Sequence, residues 1–204
     1  MFNSLENTGC FIIKREDILE KKVFFSGMAF LENCIIHNNE GFKSYLEDNV
    51  FDENLFYEGR FSLFAKSKNN FIAQTDLLGQ DILYYYLKND YWIISNSFLA
   101  IVKILVRKGF KEKIYLPSLL QPFLRHNLGQ QLLSNNTSIE NIKVLPKDYK
   151  IVVCPDTKKI NITKIKYTAS NNSYEDYLNS FCHKWVNRIY ALSNAYPKCI
   201  NVDI

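Results

Sequence analysis

Glycine and proline are scarce, seven and five in 204 residues, and no internal repeat or low-complexity tract is present. With 47% hydrophobic and 15% aromatic residues, such a chain folds around a packed core and is not globally disordered. The five cysteines (Cys10, Cys34, Cys154, Cys182, Cys199) lie far apart and form no CxxC pair. An odd count without a signal peptide reads as free thiols in a reducing cytoplasm. His37, His126 and His183 are equally scattered, so no clustered metal-ligand set is expected. No apolar run approaches the ~20 residues that span a bilayer. The opening Met1-Phe2-Asn3-Ser4-Leu5-Glu6 has neither a basic region nor a following apolar stretch. The expectation is a soluble cytoplasmic protein with no membrane partner.

Charge of one sign is also nearly absent in excess. The formal net charge is +4, and Lys and Arg are spread along the chain, often beside acids, as in Lys14-Arg15-Glu16-Asp17. A nucleic-acid binder gathers its cations into one stripe or helix. A solvated surface explains this pattern better.

What is present is a series of short strands followed by helices. Residues 10–14, 23–25, 28–37, 60–67, 71–75, 82–88 and 91–95 read as strands, with Ser26-Gly27 as punctuation and Asn89-Asp90 as a tight hairpin turn. Residues 41–48 form a short helix. Ser97 caps a helix with Phe98, Ile101, Val102 and Leu105 on one face, and Pro117 opens another that ends at Asn127-Leu128-Gly129. A hairpin joins 149–153 to 160–166. After a polar linker, 169–173, Ser173 and Asp176 make a capping box for a long helix bearing Leu178, Phe181, Cys182, Trp185, Ile189 and Leu192 on one face. Residues 199–204 read as a strand. The order argues for an α+β fold.

Two stretches are more specific: Gly59-Arg60-Phe61-Ser62-Leu63-Phe64, and Asp76-Leu77-Leu78-Gly79-Gln80-Asp81-Ile82-Leu83-Tyr84-Tyr85. Together with Ile94-Ser95-Asn96-Ser97 before a helix, the 119–128 helix, and Ile142, Leu145-Pro146 and Asp148 before a strand, they resemble the amino-terminal class II glutamine amidotransferase domain of asparagine synthetases. The resemblance is good over 59–204 and loose over 1–58. It implies a four-layer αββα sandwich of two antiparallel sheets, as in Ntn hydrolases, over 1–168. Residues 169–204 would supply the linker, helix and first strand of an incomplete ATP-pyrophosphatase (synthetase) domain. In that family the strand leads into Ser-Gly-Gly-x-Asp-Ser, and this chain ends just before it.

The same resemblance exposes what is missing. Active members use an amino-terminal cysteine whose own α-amino group is the base, but position 2 is Phe2. Neither an Asn-Gly pair nor a Gly-Asp pair occurs between His37 and Gly59, where the glutamine pocket would be. Asn38-Asn39-Glu40-Gly41 reads as a turn and Arg60 as an exposed strand end. Asp76, Leu78, Gly79 and Tyr84 carry the structural motif and are expected to be architectural. The tyrosines at 84–86 with Tyr91 and Trp92 read as cross-strand packing, not as a base-stacking surface. Cys10 is the one candidate nucleophile, available only if 1–9 were removed as a propeptide; a core thiol is the simpler reading.

The chain is therefore expected to be a catalytically degenerate glutaminase-like scaffold of an ATP-dependent amide-forming protein. Its partners would be its own or a separate synthetase domain, or further copies in a homo-oligomer. It needs no cofactor itself, and ATP and magnesium enter only if the synthetase domain follows. The alternatives are an active glutaminase using Cys10 and a stand-alone protein-interaction module.

Overall fold

The computed structural model describes residues 9–20, 23–31, 34–124, 134–166 and 173–196. In chain order the strands are β1 (Ile12–Lys14), β2 (Phe24–Phe30), β3 (Ile35–His37), β4 (Glu58–Ser67), β5 (Asn70–Thr75), β6 (Tyr84–Lys88), β7 (Tyr91–Ser95), β8 (Ile142–Val144), β9 (Tyr149–Val153) and β10 (Ile160–Lys164). The α-helices are α1 (Asn38–Asp48), α2 (Phe98–Arg107), α3 (Leu116–Leu124) and α4 (Tyr174–Ala195). Turn chemistry sets the hairpins. Asn89 and Asp90 both take positive φ, 50° and 62°, as a two-residue connection between twisted strands requires. Lys68 (φ 53°) turns β4 into β5.

All pairing is antiparallel. One sheet has the order β1-β7-β6-β8 and the other β10-β9-β5-β4-β2-β3. Because side chains alternate between faces, each sheet buries two sets of residues. Phe11, Ile13, Tyr85, Trp92 and Ile94 of the smaller sheet meet Phe64, Phe71, Ala73, Ile151 and Val153 of the larger in one core. On its other face the larger sheet packs Phe25, Ala29, Phe61, Leu63 and Ala65 against Phe42 of α1. The other face of the smaller sheet packs Tyr86, Ile93 and Ile142 against Ile101, Ile104 and Leu105 of α2. The protein is thus mixed α+β with two antiparallel sheets, compatible with an α+β sandwich.

Several local expectations change, and the strand expected over 28–37 is divided between the end of β2 and β3. Ser26-Gly27 does not interrupt a strand; β2 runs through both. Gly27 has φ +100°, and a side chain there would stand 2.1 Å from the Arg60 carbonyl oxygen. The glycine serves a close backbone approach, not a turn. Residues 38–41 are not a separate turn, because α1 begins at Asn38 and the Asn39 carboxamide accepts the Phe25 N–H at 3.1 Å, tying the helix start to β2. Phe64 and Ser62, on the second face of β4, are buried as well as Phe61, Leu63 and Ala65, since β4 is central. The expected capping box is present: Ser173 accepts the Asp176 N–H, and Asp176 accepts the Ser173 N–H. The strand expected at 199–204, the linker at 169–172 and the end of the 117–126 helix lie outside the described residues.

Candidate functional site

At one end of the space between the sheets the apolar core gives way to a polar rung. Ser26, Ser62 and Thr75 are register partners across β2, β4 and β5. They share the parity of Phe24, Phe64 and Phe71, which face the core between the sheets. Ser62 is 0% exposed, and its Oγ meets no hydrogen-bond partner at normal geometry among the described residues. Asp81 lies close to it. Burial pushes the Asp81 carboxyl above its ordinary value, against the pull of the Ser62 hydroxyl and the Arg60 guanidinium, while the Asp76 charge adds to the rise.

Asp76 follows Thr75 directly and is fully buried. Its Oδ1 accepts the backbone N–H groups of Leu78 (3.0 Å) and Gln80 (3.1 Å), and Oδ2 accepts that of Asp81 (3.0 Å). Three of the roughly four acceptor positions of this carboxylate are taken by its own loop. Gly79 takes φ +63°, and a Cβ there would press within 2.8 Å of Lys147 Cβ. Asp76, Leu78 and Gly79 are thus one loop-building unit. The loop forms the lip of a cleft of about 360 Å³ lined by Leu78, Gly79, Asp81, Ile82, Leu145 and Lys147, among others. Tyr84 lies apart: its ring tilts against Phe98 of α2 at 5.8 Å, and burial pushes its phenol up.

Cys10 stands at the head of β1, before buried Phe11. The Asn96 carboxamide brackets it. Asn96 Oδ1 accepts the Phe11 N–H at 2.9 Å, and Nδ2 donates to the Gly9 carbonyl at 2.8 Å. The Ser95 hydroxyl donates to the Phe11 carbonyl at 2.6 Å. A side chain at Gly9 would come within 2.9 Å of Ser26 Oγ, so it is Gly9 that adjoins the polar rung. Phe11 and Ile13 face the core between the sheets, while Ile12, two residues on from Cys10, packs on the outer face of the smaller sheet. With Gly9 attached, its nitrogen is an amide whose delocalised lone pair is no base. His37 is on β3, next to α1, and His183 is on α4.

Thus Asp76, Leu78 and Gly79 come together with Arg60 nearby, Cys10 sits at the same end of the sheets, and Tyr84 does not join them. Ser26, Ser62, Thr75, Asp81 and Asn96 were not singled out from the sequence. The available signal was small polar residues at inward positions of strands otherwise rich in phenylalanine. No family model matches the chain, and no curated protein does. No helix among the described residues is long and apolar enough to cross a membrane, and no group of three or more His, Cys, Asp or Glu among them is placed to hold a metal.

A second feature is the exposed aromatic stripe of α4, which shares a cleft with Glu58, Lys184 and Arg188. Tyr174, Tyr177, Leu178, Phe181, Trp185 and Tyr190 are exposed, and no residue of this helix is buried. The helix is tethered by Lys184 and Arg188 to Glu58 at the start of β4. The Arg188 guanidinium also lies over Phe30 and Trp185.

Proposed function

We propose that this chain is a catalytically degenerate, glutaminase-like domain of the four-layer Ntn type, serving as scaffold in an ATP-dependent amide-forming protein similar to asparagine synthetases. The observation that carries the reading is the state of the one candidate nucleophile. With Gly9 attached, the nitrogen of Cys10 is an amide and no base for its thiol, and the motif residue Asp76 spends its acceptors on N–H groups of its own loop, in keeping with an architectural role. The exposed aromatic face of α4 supports the scaffold role. Trp, Tyr and Arg dominate the energetic centres of protein interfaces, and this face suits the docking of a synthetase domain, its own or separate. ATP and magnesium belong to that domain in this reading. The test is ammonia release from glutamine by the chain as given, with the expected rate no higher than that of Cys10→Ala. Release that depends on Cys10 refutes the reading.

A second reading is favoured by the Asn96 bracket, which holds Cys10 at a strand head beside polar groups. Removal of residues 1–9 would give Cys10 a free amine and make an active glutaminase. A chain beginning at Cys10 that hydrolyses glutamine, and loses this in Cys10→Ser, would establish it.

A further inference from the structure

The layer covering the smaller sheet has an outer side of distinctive chemistry. Between residues 98 and 124 the sequence holds a single acid, Glu112, against Lys103, Arg107, Lys108, Lys111 and Lys113. That acid is turned inward. Glu112 is 6% exposed and receives hydrogen bonds from the Tyr86 hydroxyl, Lys88 Nζ and Asn141 Nδ2. Phe110 also turns in, onto Tyr86 and Tyr91. Lys111 and Lys113, alternating with these inward residues, are exposed. On α2 the buried side is Ala100, Ile101, Ile104 and Leu105, so Leu99, Lys103 and Val106 form the opposite stripe at helical spacing.

Exposed aliphatics are interleaved with these cations: Leu99, Val106 (70% exposed), Ile114, Leu116 and Leu120. Among residues 98–120 of this segment, whose side chains the structure describes, none of the exposed large apolar residues is aromatic. Its chemistry therefore differs from that of the α4 face. Lysine is depleted and aromatics are enriched at protein interfaces. Stacking platforms for single-stranded nucleic acid also need aromatics. Lysines at headgroup height with aliphatic side chains between them match an anionic bilayer surface.

We propose that this outer side, carried by α2 and residues 110–120, is a peripheral docking surface for anionic phospholipid membranes. This reverses the expectation of no membrane partner, which rested on the want of a spanning segment; a peripheral contact needs none. Charge complementarity selects the partner: residues 98–120 present cations and apolar groups with their one carboxylate withdrawn, and of the acids at the edges Glu16 is paired with Lys108 at 2.6 Å and Glu140 lies beside Lys113, leaving Lys103 and Lys111 as the central cations.

The test is co-sedimentation of the full 204-residue chain with vesicles of phosphatidylcholine alone and with about 30% phosphatidylserine, at low salt (about 0.1 M) and at about 0.5 M. Binding is expected only with phosphatidylserine and should weaken at the higher salt. Each lysine near such a surface contributes about fivefold, so losing three costs roughly a hundredfold, and the triple charge reversal Lys103→Glu, Lys111→Glu, Lys113→Glu should weaken binding by at least that. Reversing three exposed lysines elsewhere, Lys43, Lys66 and Lys159, should leave at least tenfold more binding than the triple variant retains. A second variant, Val106→Ser with Ile114→Ser, should lower vesicle binding while its circular dichroism stays native. No sedimentation with phosphatidylserine at low salt overturns the proposal. So does equal loss in the two lysine variants, which would mean net charge alone. Retention on an oligonucleotide or polyglutamate without vesicle binding also overturns it and assigns the patch to a soluble polyanion.

Discussion

Replacing Asp76 separates a loop-building carboxylate from a ligand-binding one. Its two oxygens divide the work unequally, Oδ1 taking Leu78 and Gln80 and Oδ2 taking Asp81. Asp76→Asn can keep the two bonds to Oδ1 but sets an amide NH2 against the Asp81 N–H, for a loss of about 1.5 kcal/mol. Asp76→Ala removes all three acceptors and leaves a small cavity at a fully buried position. Water reaches the exposed Leu78 and Gln80 backbone in part, so the cost is about 3 kcal/mol rather than the full sum of three charge-assisted bonds. Urea unfolding followed by tryptophan emission measures both. Trp92 is buried and Trp185 exposed, so the Trp185→Phe background isolates the core signal. The variants should share the parent's slope with denaturant and differ in midpoint. Equal losses for Asn and Ala would refute the division between the two oxygens. Losses below about 0.5 kcal/mol in both would refute the architectural role altogether.

Gly27→Ala places a Cβ at 2.1 Å from a backbone oxygen at φ +100°; a loss of at least about 3 kcal/mol, read by thermal unfolding, is expected. Burial alone would raise the Glu112 carboxyl, but the donors Lys88, Asn141 and Tyr86 outweigh it and hold it below the ordinary carboxylate range. Its stabilisation is therefore present above the unfolded value and lost as pH falls through the folded one. Glu112→Gln should flatten the stability profile in that acid window, and an unchanged profile would count against the hub. Among the thiols, the Thr157 hydroxyl and the backbone N–H groups of Thr157 and Asp156 hold Cys154 below the usual thiol range, while partial desolvation pushes Cys34 up although its side chain is the more exposed, so the labelling order sets thiolate character against access. Iodoacetamide at neutral pH followed by peptide mass mapping should label Cys154 before Cys34; the reverse order contradicts this.

Much of the frame is legible in the residues because its signals are local. Asn89-Asp90 declares a hairpin, and Ser173 with Asp176 declares a helix start. Ser97 also caps as expected, its Oγ accepting the Ala100 N–H at 3.3 Å. The polar rung was hidden for the opposite reason. Ser26, Ser62 and Thr75 are 36 and 13 positions apart along the chain, and only the register of β2, β4 and β5 aligns them. In a strand pattern an inward serine looks like one more solvent-facing position. Gly27 misled similarly, since a glycine within an apolar run signals either a turn or a close approach, and the partner backbone that decides lies on another strand. The long helix was recognised from its apolar periodicity, but periodicity says which side is apolar and not what covers it.

The β2–β4 pairing carries one more consequence. A slip of two residues keeps every side chain on its own face, so burial alone does not forbid it. Gly27 pairs with Phe61 and Gly59 with Ala29, and a side chain at either glycine would collide with the facing backbone, at Arg60 O or Met28 O. In the observed alignment both gaps sit opposite carbonyl oxygens, so the two glycines act as a pair of keyholes, and a side chain at either one would hold the two strands apart.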